Sequence, residues 1–154
     1  KTKYSYEDDM IKIVWIPLST QFAFSLNNKT DHSIKIIWDE AVYVDQNGSS
    51  GRVMHSGVKY IDRNNPQPPT VIVKKANIDD MVVPTSNVTY TSGQYGGWNT
   101  QAIFPNIALS QEELNSLSKK YIGKEVKILL PLKIKETINE YIFTFKVEDF
   151  ISNK

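Results

Sequence analysis

Two histidines, His32 and His55, are the only imidazoles in a chain of 154 residues that contains no cysteine. A zinc centre needs three or four nitrogen, sulfur or oxygen donors around one point. Thiolates are absent, His32 lies in an Asn/Asp-rich turn, and His55 adjoins a Ser-Gly turn. The expectation is therefore that both histidines are structural or solvent-exposed, with no metal and no cofactor. Without cysteine there is also no Cys–His nucleophile, and no serine sits in a Gly-x-Ser-x-Gly elbow. Gly93, Gly96 and Gly97 are not followed by Lys-Ser/Thr or a helix, as a phosphate cradle would require.

Carboxylates occur in neighbouring pairs: Asp8-Asp9, Asp39-Glu40, Asp79-Asp80 and Glu112-Glu113. Glycoside hydrolysis uses two carboxyls facing each other across roughly 5–10 Å. Neighbours in one strand point to opposite faces, so none of these pairs forms such a dyad alone. Of Asp39 and Glu40, one interrupts an otherwise apolar strand face. One reading makes either of them half of a glycan-directed hydrolase, with a partner distant in sequence. The other makes it an edge residue ion-paired to Arg52 or Lys59. The three sequons at Asn28, Asn47 and Asn87 would be glycosylation acceptors in a eukaryotic secreted protein and plain turn composition in a bacterial one.

Binding chemistry is concentrated between Tyr90 and Asn99, where Tyr90, Tyr95 and Trp98 stand among glycines and small polar residues. Rigid aromatic rings on a loop offer large stacking faces at low entropic cost. A sugar ring or the apolar surface of a protein could dock there; alternatively Tyr95 and Trp98 fold back as a lid on the core. The proline-rich loop 62–69, with Arg63, is a second surface of this kind.

The elements that must carry these groups read as strands. Ile11, Ile13 and Trp15 alternate with polar or smaller neighbours, as do Phe22, Phe24 and Leu26. A long strand is expected from Ile34, with Ile34, Ile36, Trp38, Val42 and Val44 inward and a bulge or edge at Glu40. Asn47-Gly48 signals a type I′ hairpin turn, with Arg52 to His55 returning. Thr70 to Lys74, Met81 to Val83 and Val88 to Thr91 are further strand segments, and 92–99 is expected to be loop. Val126 to Ile134 and Tyr141 to Val147 alternate strongly and read as a hairpin joined through 136–140. One helix is expected from Ser110 to about residue 121. Ser110 and Glu113 form a capping box, Leu109 and Leu114 a staple, and Gly123 the stop.

Seven or eight strands with frequent turn signals and one short helix predict an immunoglobulin-like or fibronectin-like antiparallel β-sandwich, a barrel being the alternative. A single domain over 1–154 is expected, with residues 1–8 as a lead-in. Eighteen basic against 17 acidic residues leave a net charge of +1, unlike a nucleic-acid-binding module. No run reaches the roughly 18–20 apolar residues of a membrane span.

The stretches Phe22 to Thr30, Ile34 to Asp45, Arg52 to Tyr60 and Tyr121 to Pro131 resemble uncharacterised lipoproteins of Bacteroides-type bacteria. That resemblance implies a cell-envelope protein, periplasmic or anchored at the outer membrane. The anchor would be a lipid on a cysteine upstream of Lys1, a start that itself suggests a processed chain. The turn Leu26-Asn27-Asn28 leading into Ile34 is similar to the water-stress β-sandwich domains of late-embryogenesis-abundant proteins. Neither resemblance supplies catalytic residues. The expected function is a non-enzymatic binding or structural accessory module with a glycan or protein partner.

Overall fold

The computed structural model describes residues 3–104 and 110–148. Its strands run in the order β1 (Tyr4–Glu7), β2 (Ile11–Pro17), β3 (Phe22–Asn28), β4 (Ile34–Ile36), β5 (Val42–Val44), β6 (Ser50–Gly51) and β7 (Val53–Met54). Then follow β8 (Thr70–Ile72), β9 (Asn77–Pro84), β10 (Val88–Thr91), β11 (Gly97–Thr100), the helix α1 (Gln111–Tyr121), β12 (Glu125–Ile134) and β13 (Thr137–Lys146). One sheet has the order β1-β2-β3-β9-β7. In the other, β12 pairs with β13 on one side and with β4 and β5 on the other, while β8 and β6 extend β4 and β5 outward. All pairings are antiparallel and neither sheet closes on itself among the described residues, so the fold is a β-sandwich.

Alternation seals the sheets against each other. Ile11, Ile13, Trp15, Phe22, Phe24 and Leu26 from one sheet meet Ile34, Ile36, Val126, Ile128, Leu130 and Leu132 from the other. Burying each such side chain contributes about 1.5–3 kcal/mol. Trp38 is fully buried, and its indole N–H donates to Thr70 Oγ1 at 2.7 Å.

Several local expectations change. Residues 4–7 of the lead-in form a strand, pairing with β2 through the register Tyr4↔Trp15 to Glu7↔Lys12. The long strand from Ile34 is broken by a 3₁₀ turn at Trp38–Glu40. That turn advances the chain by an odd step, so Ala41 and Tyr43 face the core instead of Val42 and Val44. Opposite the break lies Pro131, whose carbonyl accepts the Ile37 N–H at 3.0 Å. Its missing donor thus faces the gap in the ladder rather than a bonded neighbour.

The returning segment at 52–55 does not pair with the strand before it. β6 stays with β5, and after Arg52 the chain crosses to the other sheet, where Val53 pairs with Pro84 of β9. At the preceding turn only Gly48 has positive φ, at 84°, and Asp45 Oδ1 accepts the N–H groups of Asn47 and Ser49. A type I′ turn would require positive φ at Asn47 as well. The β12–β13 connector is also tighter than expected, since Ile134 pairs directly with Thr137. Ser110 caps α1 by accepting the Glu113 N–H at 3.1 Å, and Gly123 follows at φ 89°. Leu109, the outer half of the expected staple, lies outside the described residues.

Asn28, read from sequence as a turn residue, is wholly buried at the end of β3. Its amide nitrogen donates to the carbonyls of His32, Ile72 and Val73 at 2.7, 3.0 and 3.2 Å. Its oxygen accepts from the Thr30 amide and hydroxyl at 2.9 and 2.8 Å. One side chain therefore ties the end of a strand in the first sheet to β8 in the second.

Candidate functional site

β10 and β11 form a two-stranded hairpin separate from both large sheets, so Trp98 and Asn99 belong to a strand and not to the loop expected there. The turn between them is closed by glycine for a steric reason: a Cβ on Gly96 would collide with the carbonyl of Thr91. The glycines thus serve a tight turn.

The pairing sets Tyr90 directly opposite Trp98, with ring centroids 5.0 Å apart. The hairpin leans on the segment that follows β7. Tyr60 approaches Trp98 at 5.9 Å, and the Arg63 guanidinium lies 5.0 Å from the indole centroid. Arg63 is itself held by the Tyr60 carbonyl at 3.0 Å. A cation placed over an indole in this way is attracted by the ring quadrupole. Despite these neighbours Trp98 remains 37% exposed and Tyr90 59%. Tyr95, at the hairpin tip, is 95% exposed and lies outside the cluster. Of the three aromatics singled out in the sequence, two are brought together and the third stands apart, and none acts as a lid on the main core.

Trp98 and Tyr60 border a cavity of about 560 Å³ lined also by Gln21, Met54, His55 and Met81. His55 is fixed on two sides. Its ring stacks on Trp38 at 4.2 Å, and its Nδ1 lies 3.1 Å from Asp80 Oδ2. The other Asp80 oxygen accepts the N–H groups of Ser56 and Met81 at 2.9 and 2.7 Å. Asp80 is thereby committed, and Asp79 points to the opposite face of β9. Sequence reasoning missed Tyr60 and weighed Asp80 only as half of a carboxylate pair, not as the partner of His55; the bulk of Tyr60-Ile61 just ahead of the proline-rich loop was the available signal for the first.

Asp39 is ion-paired, as one reading of the sequence had it. Arg52 Nη2 lies 2.8 Å from Asp39 Oδ1, and the same oxygen accepts the Gln67 N–H at 2.8 Å. Arg52 also donates to the carbonyls of Asn64 and Asn65, so Asp39 and Arg52 together pin the 62–69 loop. Glu40 is exposed. His32 is exposed and offers its backbone carbonyl to Asn28 and Thr30. Among the described residues, no three His, Asp or Glu side chains gather as a metal site.

Two other features bear on the chemistry. A larger apolar seam of about 750 Å³ opens between β1 and β13, lined by Tyr4, Tyr6, Trp15, Phe143 and Phe145. Phe104 and Glu148 border it. At the end of that seam Asp8 Oδ2 accepts the hydroxyls of Tyr141 and Tyr6 at 2.8 and 3.1 Å. Its Oδ1 accepts the N–H groups of Met10 and Ile11. Burial pushes the Asp8 carboxyl up, but these donors outweigh it and hold the group below the usual carboxylate range. Burial, and then the bond to Asp8, push the Tyr141 phenol upward.

The fold and the site define an antiparallel β-sandwich carrying an aromatic hairpin on its rim. No family model, curated protein or solved structure matches the chain. No helix among the described residues is long and apolar enough to cross a membrane.

Proposed function

We propose that the chain is a non-catalytic module of the bacterial cell envelope that binds glycans on the surface formed by Trp98, Tyr90 and Tyr60. The observation that carries this reading is Trp98, held between two tyrosines and an arginine yet partly open, beside a cavity with polar groups on its wall. A sugar ring has an apolar C–H face and a rim of hydroxyls. Aromatic faces take the first by stacking, while Arg63, Lys59, Ser56 and Gln21 stand within or beside the cavity to meet the second. Fixing the rings before binding lowers the entropic cost of capture.

The non-catalytic assignment is supported by the commitment of Asp39 to Arg52 and Gln67 and of Asp80 to His55 and two amides. Support for the envelope, and for a lipid anchor upstream, comes from the resemblance of the four stretches named above. A glycan array probed with the wild-type chain and with Trp98→Ala tests the binding. The expected result is a sugar signal that falls by at least about tenfold in the variant, the equivalent of roughly 1.4 kcal/mol. A sugar signal that Trp98→Ala leaves unchanged would remove this surface as the site.

A further inference from the structure

The geometry points to β13 as a homodimer interface, where a second copy of this chain adds its own β13 antiparallel to the first, with Ile142 on the two-fold axis. β13 spans ten residues and pairs only with β12 among the described residues. Among the described residues the other free edges are short: β1, β10 and β11 have four residues each, β7 and β6 two each, and β8 three. Natural edge strands are blunted by proline, bulges, charged side chains or brevity. The two outward charges of β13, Glu140 and Lys146, are of opposite sign and so can pair across a two-fold axis. β13 has no proline, and its pairing with β12 is unbroken from Ile134↔Thr137 to Glu125↔Lys146. Its outer face shows Ile138 46% and Ile142 63% exposed.

The register follows from which groups point outward. The Pro131 carbonyl bonds to Ile37, so Pro131 directs its backbone away from β13. Its partner Glu140 is therefore in a pair that exchanges no hydrogen bonds with β12. Val147 does bond across, donating to the Lys124 carbonyl. Even-numbered residues of β13 thus present N–H and C=O to the open edge, and odd-numbered ones to β12.

A symmetric antiparallel partner can only match even with even. Centring on Ile142 uses every outward group from Ile138 to Lys146. Ile142 then faces Ile142 of the second copy, Glu140 faces Thr144, and Ile138 faces the aliphatic stem of Lys146. Glu140 lies diagonal to the second copy's Lys146, within reach of long side chains at about 7–8 Å. Centring on Glu140 would set two carboxylates face to face. Charge and hydrogen bonding together favour the Ile142 register, and an isologous interface of this kind closes at two copies.

Because the chain has no cysteine, single cysteines report the register directly. Opposed residues at Ile142 would have Cα atoms about 5.5 Å apart, inside the range a disulfide spans. Two copies of Thr144 would lie about 14 Å apart, four residue steps along the strand. On mild oxidation Ile142→Cys is expected to form a covalent dimer, and Thr144→Cys is not. In sedimentation equilibrium the wild type is expected to shift from 17.6 kDa towards twice that mass with concentration. Ile142→Lys, which sets two lysines on the axis, weakens association by at least about tenfold. Should that variant lower the urea midpoint, Glu140→Lys reads the same contact, and adding Lys146→Glu restores it. A wild type that stays monomeric up to millimolar concentration, equal cross-linking at both cysteines, or association unmoved by these charge changes would overturn the interface.

Discussion

Replacing Asn28 by Ala and by Asp separates its hydrogen-bonding role from its volume. Asn28→Ala removes a donor group shared by three carbonyls and an acceptor used by Thr30. A net hydrogen bond contributes about 1 kcal/mol, and a buried partner left unsatisfied costs about 1–3 kcal/mol. The Ile72 bond is fully buried, while water can reach the partly exposed partners, so the loss is about 3 kcal/mol in all. For a domain of this size that lowers the melting temperature by about 10 °C. Asn28→Asp keeps the shape but turns a carboxylate oxygen on the same carbonyls, which costs several kcal/mol at pH 7, more than Ala does. The buried carboxyl resists ionisation, so its folded pKa lies above its unfolded one and stability declines as pH rises. Urea melts at pH 7 and near pH 4 should then show Asp the less stable variant at pH 7, with the gap to Ala narrowing on acidification. An Ala variant within 1 kcal/mol of wild type, or an Asp variant as stable as Ala at both pH values, would refute the reasoning.

Three further variants probe the polar contacts around the sheets. The Asp8 carboxyl is held below its usual range, so the stability it supplies is present above the unfolded value near 3.9 and is lost as pH falls through its folded pKa. Asp8→Ala should cost roughly 1–3 kcal/mol at pH 7 and flatten the acid limb of the stability profile below about pH 4; an unchanged acid limb would contradict this. Arg52→Ala should cost only about 1 kcal/mol, since the pair with Asp39 is partly exposed, yet it should speed amide exchange across residues 62–67. Asp39→Asn should leave glycan binding unchanged, and loss of binding would reopen a direct role for that carboxylate.

The sandwich was legible because 11–15, 22–26 and 126–134 alternate cleanly and the structure buries those faces. The crossing at Arg52 was not, because β6 and β7 are two residues each and carry no periodic signal. The inward turn of Tyr43 depended on a 3₁₀ turn that shifts the phase between two apolar runs. In the site, the aromatic content of 90–98 was visible, but the cross-strand match of Tyr90 and Trp98 was hidden by glycines that read as loop. Tyr60 and Arg63 join that surface from about thirty residues upstream, a proximity that only the tertiary fold creates. Asn28 looked like a turn residue because its sequence neighbours are polar; its burial comes from β8, far along the chain.

The three tryptophans offer three separate indole N–H signals: Trp15 and Trp38 in the core and Trp98 on the rim. A titration of the isotopically labelled chain with the sugars that score on the array tests the binding surface most directly. Binding at the hairpin predicts that the Trp98 indole resonance shifts saturably while those of Trp15 and Trp38 stay in place. Saturable shifts elsewhere with the Trp98 resonance unmoved would contradict it.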